Sequence, residues 1–153
     1  DIYINVQGDE PLIRSKDIKK FINFSLLHKN TVVNAMTEIS TLKEFKSLNV
    51  PKVVHDQKDN LIYMSRSPIP GSKDNSFSKA KKQVCIYSFP KNSLKNFGLK
   101  RKKTFFENIE DIEILRFIEM GEKVKMLTLQ KGTIAVDTIS DAKKVRTLIQ
   151  NEK

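Results

Sequence analysis

The chain has 153 residues, of which 39% are hydrophobic and 30% charged, a composition that fits one soluble globular domain able to bury a core. No apolar run approaches the roughly 18 residues of a membrane span, and no basic segment followed by an apolar stretch marks a signal peptide, so a membrane is not an expected partner. The formal charge of +10 is the one unusual bulk value, and its long-range field would attract nucleic acid, anionic lipid or phosphate-rich small molecules.

The densest basic clusters are KAKK at 79–82 and LKRKK at 99–103. Neither is interleaved with the aromatics on which bases stack, and no zinc-finger or RNP pattern is present. Nucleic acid is therefore not expected either. The single cysteine, Cys85, lies inside the apolar run VCIYSF and has no disulfide partner in the chain, which fits a reducing, cytoplasmic setting.

In chain order, IYINV at 2–6 is β-branched and aromatic enough for a buried strand. Ser15 can cap a helix over about 16–28 that turns Ile18, Phe21, Ile22 and Leu26 to one face. TVVNAMTEI at 31–39 returns as a strand, and TLKEF at 41–45 is a capping box with Thr41 as N-cap and Glu44 three residues on. KVVHD, the turn QKDN and LIYMS make a hairpin across 52–65. Residues 66–82 carry Pro68, Pro70 and Gly71 and form a loop. QVCIYSF at 83–89 is a strand, followed by a short helix near 91–97.

A long helix over about 106–120 would place Ile109, Ile112, Leu115 and Ile118 on one stripe, with Gly121 stopping it. KVKMLTL and TIAV are expected strands, and Ser140 would cap a final helix with Ala142, Val145, Leu148 and Ile149 inward. Strands alternating with helices indicate a layered α/β fold with a largely parallel sheet.

Two stretches share one design. Asp9 follows the strand ending at Val6, and Asp137 follows directly on TIAV. Ligands gather at the carboxyl ends of strands in open α/β sheets. If the two strands are neighbours, both carboxylates could hold one hard cation, and Mg²⁺ characteristically takes only one or two protein carboxylates. Gly8 would allow a tight turn there. On the other reading, Asp9 and Pro11 merely make a turn, and Asp137 and Ser140 merely begin a helix. Arg66, in SRSPIP at 65–70, could fork onto a carboxylate or phosphate, or be an ordinary surface arginine. Glu107, Glu110 and Glu113 repeat at i, i+3, and acids in the first turns also suit the helix dipole. His28 and His55 share no metal-ligand spacing, and no Walker-type loop, GxSxG or CxxC is present.

Taken in order, NVQGDEPLI, KVV…D…LIYMSRSPIP, QVCIYSFPKNSL, ENIEDIEILRFIEMGEKVKM and IAVDTISDAKKVR resemble the 3-deoxy-manno-octulosonate cytidylyltransferase (CMP-Kdo synthetase) family through essentially the whole chain. VQGDEP and the VDT before the last helix are its most specific elements. The resemblance implies a three-layer, Rossmann-like nucleotidyltransferase fold with a mixed, mostly parallel sheet. It implies joining of CMP from CTP to an acidic eight-carbon sugar, with pyrophosphate released, for bacterial lipopolysaccharide, and commonly a homodimer. Asp9 and Asp137 match the two Mg²⁺-binding carboxylates and, with Arg66, make the catalytic set. Gln7 and Glu10 would border the sugar beside the metal. Arg66, Tyr87, Glu107 and Glu110 match positions near the acidic sugar, with Arg66 on its carboxylate.

The chain also departs from the family. Gln83, counted with the substrate-binding positions, stands where many members have the histidine of RHxGIY. Gly71 replaces a frequent tryptophan, and VDTIS replaces the commoner VDTPED. The family's N-terminal ARxxSxRLPGKxL-like loop, which cradles the CTP triphosphate, has no counterpart here. The expectation is therefore a domain lacking its N-terminal part, inactive or weakly active alone, with an exposed sheet edge that favours association. A synthetase for another acidic sugar and a non-catalytic dimerising module are the alternatives.

Overall fold

A computed structural model describes residues 1–74, 76–77, 79–99, 102–130, 134–136 and 138–151. Its strands are β1 (Ile2–Val6), β2 (Val32–Glu38), β3 (Lys52–His55), β4 (Leu61–Ser65), β5 (Lys81–Pro90) and β6 (Val124–Thr128). Its helices are α1 (Ser15–Leu27), α2 (Leu42–Lys46), α3 (Lys91–Leu99), α4 (Phe105–Glu110), α5 (Ile114–Glu119) and α6 (Ile139–Asn151).

The sheet runs β4-β3-β5-β2-β6, with β1 added on β5. The α/β class and the mixed sheet agree with the sequence expectation. The predominance of parallel pairing does not, because β5 runs against β1, β2 and β3, β4 runs against β3, and only β2 and β6 pair in parallel. Yet β1, β2, β3 and β6 all point the same way. Alternation of strands and helices reports that common direction and cannot report that a reversed strand lies between them.

β5 is ten residues long and has two edges. β2 takes one edge along Lys81–Ser88. The other is shared end to end, with β3 against Lys81 and Lys82 and β1 against Ile86–Pro90. A sheet buried on both faces needs apolar residues at successive positions, and six of the seven residues of β2 are buried. Val32 and Met36 pack with Met64, Leu115, Phe117 and Met126 on one face, while Val33 and Ala35 pack with Phe21, Val84 and Ile86 on the other.

Several helices differ from their expected form. The N-cap of α1 is Arg14, not Ser15, and Arg14 Nε donates to Asp17 Oδ2 at 2.7 Å. Phe21 is buried, but Leu26 is exposed. In α2 the expected cap is present, with Thr41 Oγ1 accepting the Glu44 N–H at 3.1 Å. Residues 134–136 form no strand, and α6 is opened by Thr138 Oγ1, which accepts the Asp141 N–H at 3.2 Å. Of the four residues expected inward on α6, only Val145 is buried.

The expected helix over 106–120 is two helices broken at Asp111, whose φ of 51° is left-handed. Asp tolerates that conformation better than most residues, so no glycine or proline marked the break. It brings Arg116 back over α4, where Nε and Nη2 donate to the two oxygens of the buried Glu107 at 2.6 and 2.5 Å. The guanidinium also lies 3.8 Å from the Phe97 ring centroid. Burial pushes the Glu107 carboxyl up, but its bonds from Arg116 and Thr104 outweigh that and hold it below its ordinary value. Removing one partner of a buried pair leaves an uncompensated charge. Arg116→Met is accordingly expected to lower the unfolding free energy by about 3 kcal/mol, read by urea denaturation; a loss below about 1 kcal/mol would mean the pair is effectively solvated.

Candidate active site

Where β1 ends and β3 begins, the shared edge of β5 runs out of strand partners. The Gln7 N–H still donates to Cys85 O at 3.0 Å, and the Gln83 N–H donates to Pro51 O at 3.0 Å. Between them the Cys85 N–H is met by a side chain, the Oε1 of buried Glu10, at 3.2 Å. A buried backbone N–H needs a partner, and supplying it from a carboxylate lets β1 turn away and leaves a gap. A cleft of about 930 Å³ opens over that gap.

Gln7, Asp9, Glu10, Arg66, Gln83 and Tyr87 all line this cleft, so six of the residues singled out from the sequence come together. Gly8 has an ordinary φ and open space around it, so the turn itself does not demand glycine. Asp9 accepts the Val136 N–H on its main-chain oxygen at 2.8 Å, joining β1's exit to the segment before α6. Its Oδ1 is buried and has no hydrogen-bond partner among the described residues. Asp137, the expected second metal ligand, lies outside the described residues. Among the described residues no group of three or more His, Cys, Asp and Glu could hold a metal. That donor set does not suit an all-protein cage, but it does suit a hard cation that keeps most of its shell for water and substrate oxygens.

Glu107 and Glu110 are absent from the cleft wall, unlike the expected placement near a substrate. Glu107 is held by Arg116. Glu110 accepts from Ser65 Oγ at 2.6 Å, the Arg66 N–H at 2.8 Å and Tyr63 Oη at 3.3 Å. Burial raises the Glu110 carboxyl, and these bonds with the Arg66 charge more than reverse it, so it stays ionised well below neutrality. The residues that follow it, Asp111 to Glu113, do reach the cleft, carried there by the break between α4 and α5.

Arg66 is held by that same break. Its Nε donates to Glu110 O at 2.6 Å, Nη2 to Asp111 O at 3.1 Å and Nη1 to Leu48 O at 3.1 Å. Three of the five guanidinium N–H groups are thus engaged by main-chain carbonyls, which fixes the plane of the fork while two remain. Tyr87 is half-buried and stacks on Phe89, with centroids 5.8 Å apart. Burial, helped by the Cys85 thiol, pushes its hydroxyl far above the ordinary value, so it remains a proton donor at any working pH.

Two residues of the site were missed from the sequence. Asn34 is completely buried on β2 behind the cleft. Lys52, at the start of β3, is also completely buried. Its Nζ donates to Ser47 O at 2.7 Å, Val50 O at 2.8 Å and Arg66 O. It therefore ties the loop after α2 to the exit of β4, and so joins two walls of the cleft. A lysine between Pro51 and two valines was the available signal, since a charge opening an apolar strand needs partners.

The cytidylyltransferase family model matches residues 1–124. The chain belongs to the cytidylyltransferase family. It is 36% identical over 157 residues to the 3-deoxy-manno-octulosonate cytidylyltransferase of Geotalea uraniireducens, an alignment covering 95% of this chain and 62% of that protein. It is 34% identical over 146 residues to the same enzyme of Fusobacterium nucleatum, covering 95% of this chain and 59% of that one. A solved structure of CMP:2-keto-3-deoxy-manno-octonic acid synthetase complexed with CTP superposes with a TM-score of 0.88 at 31% identity. That superposition covers all of this chain and 63% of the other. The chain thus spans about 60% of the length of these family members.

Burial pushes the Lys52 ammonium down from 10.5 to about 8, against a partial upward pull from Glu110. The folded protein then releases this proton before the unfolded chain does. Its contribution to stability is accordingly lowest below about pH 8 and rises as pH climbs toward 10.5. In lysine side-chain ¹³C NMR, one resonance is expected to titrate near pH 8 and to vanish in Lys52→Arg. If every lysine titrates near its ordinary value of about 10.4, the ammonium is not held as described.

Proposed function

We propose that the protein is a CTP-dependent cytidylyltransferase that acts on 3-deoxy-manno-octulosonate in the bacterial cytoplasm, as a homodimer, in lipopolysaccharide synthesis. The observation that carries the reading is Asp9, whose buried Oδ1 lacks a hydrogen-bond partner among the described residues beside the cleft. The family and the likeness to a CTP-complexed synthetase support the same reaction class.

In this reaction the anomeric oxygen of the sugar acid attacks the α-phosphorus of CTP. The new carbon–oxygen–phosphorus link forms as the bond to the bridging oxygen breaks, the hydroxyl proton is released, and pyrophosphate leaves. Asp9 and Asp137 would hold Mg²⁺, which when bound neutralises charge on the phosphates. Gln7, Glu10 and Gln83 would border the sugar, and Tyr87 would donate its hydroxyl hydrogen. The two remaining N–H groups of Arg66 would receive the sugar carboxylate, at a fork already oriented by three carbonyls. Glu107 and Glu110 act behind the wall, by holding α5 and Arg66, and do not touch substrate in this reading.

The replacement of the family's histidine by Gln83 favours a second reading, in which the acidic sugar is a different one. Pyrophosphate release with CTP, Mg²⁺ and a panel of sugar acids separates the two. 3-Deoxy-manno-octulosonate is expected to be the best substrate, and turnover of another acid in its place would select the second. Absence of CTP-dependent release with every acid, in a protein that carries the family's N-terminal loop, would overturn both. Asp9→Asn is expected to lower release at least about 100-fold, since metal-borne charge stabilisation is worth several kcal/mol, without loss of the folded state by circular dichroism.

A further inference from the structure

β5 carries an irregularity directly behind the cleft. Asn34 and Ala35 are consecutive on β2, but their partners on β5 are Tyr87 and Val84. β5 therefore has two extra residues, Cys85 and Ile86, and the ladder with β2 is interrupted there. Such bulges recur beside active sites, where they re-aim a side chain.

The interruption leaves main-chain carbonyls to be satisfied by something other than β2's backbone. Asn34 supplies it: its Nδ2 donates to Val84 O at 3.0 Å and to Ile86 O at 2.9 Å. A side-chain amide has one donor end and one acceptor end. With both Nδ2 hydrogens on carbonyls, the Oδ1 of Asn34 is turned the other way. There it accepts from Nε2 of Gln83 at 3.0 Å. Reversing Asn34 would set its oxygen against two carbonyl oxygens. Reversing Gln83 would set its oxygen against Oδ1. Each step of this chain is forced by the one before it, starting from two backbone oxygens that cannot turn.

Gln83 is also pinned at its backbone, by the bond from its N–H to Pro51 O. Its remaining polar oxygen, Oε1, accepts no hydrogen bond among the described residues and is not buried; Gln83 lines the cleft. We propose that Asn34 is a positioning residue that fixes Gln83 with its side-chain oxygen toward the cleft, so that this point of the site receives a hydroxyl hydrogen of the substrate and not its carboxylate. The substrate part of this inference rests on the sugar-acid reading above. An oriented carbonyl oxygen accepts from a hydroxyl and repels a carboxylate, which assigns the two kinds of sugar group to different residues of the cleft lining, Gln83 for a hydroxyl and Arg66 for the acid. Asn34 acts only through Gln83, since it is completely buried.

The test measures kcat and both KM values for Asn34→Ala, Gln83→Met and the double variant, with 3-deoxy-manno-octulosonate and CTP. Each single variant is expected to raise the sugar KM about fivefold, the loss of one neutral hydrogen bond of about 1 kcal/mol, with the CTP KM unchanged. The double variant should be no worse than Gln83→Met alone, because the two residues form one unit. Effects that multiply, or that fall equally on CTP and sugar, overturn the proposal. Should Asn34→Ala fail to fold, Asn34→Ser keeps one donor for the carbonyls and takes its place.

A ligand-free measurement runs beside these. In ¹⁵N-edited NMR, a side-chain amide proton of Gln83 is expected to show a cross-peak to the Asn34 Hβ protons, and its absence overturns the orientation. If the cross-peak is present and no sugar acid is turned over, the enzyme reading and the hydroxyl assignment fall while the orientation stands.

Discussion

Every N–H and C=O of a buried strand needs a partner, and β5 meets that need along one edge with two strands that arrive from opposite ends. β1 and β3 run in the same direction against it, so the carboxyl end of one faces the amino end of the other. They do not quite meet. The single backbone N–H left between them, that of Cys85, is taken by the Glu10 carboxylate. Closing the ladder with a side chain, not a strand, is what lets the chain leave the sheet at Gln7 and hang Asp9 over the opening. A strand continued through this gap would satisfy the same N–H and abolish the cleft.

The walls of that cleft are held by charged groups placed where apolar ones would pack more cheaply. Lys52 is surrounded by carbonyls, Arg66 by three more, and Glu110 by three donors. Burying such groups is unfavourable unless their hydrogen bonds are complete, and here each bond ties one chain segment to another. Lys52 joins the α2–β3 loop to β4, and Arg66 joins β4 to the break between α4 and α5. Leu or Met at these positions would fill the volume, but they would not fix the angle at which three loops converge. The unpaired helix-end carbonyls of α4, a liability wherever a helix stops, become the acceptors that orient the Arg66 fork.

Much of this was legible before any coordinates. The six strands, the hairpin and the α2 cap follow from apolar period and turn chemistry, whereas the gathering of Gln7, Asp9, Glu10, Arg66, Gln83 and Tyr87 was implied by the family resemblance. What was not legible has physical reasons. Strand direction is not written in an apolar run, so a reversed β5 at the centre of the sheet read as one more parallel strand. The break at Asp111 lacked a glycine or proline because an aspartate carried the left-handed turn. Leu26, Leu148 and Ile149 fit the helical period but have little packed against them, since period selects a face and cannot say whether anything covers it. Asn34 was hidden because its partners are carbonyls released by a bulge, and bulges have no sequence signature of their own.

The acids are the most instructive case. Glu107, Glu110 and Asp9 are equally plausible as site residues when judged by type and by motif. Their partners separate them. Glu107 has a two-point arginine and a capped helix start, and Glu110 has a serine, a tyrosine and a backbone N–H. Both carboxylates are saturated by the protein, and a saturated carboxylate is a structural strut whose removal is felt in stability. Asp9 has an oxygen out of solvent with no described group to receive it. Keeping a buried acceptor unpaired costs on the order of 1–3 kcal/mol, a penalty the fold avoids at both helix acids. Where the fold saturates both helix acids and leaves this oxygen of Asp9 without a described partner at the mouth of a cleft, the proposed reaction would supply the missing partner.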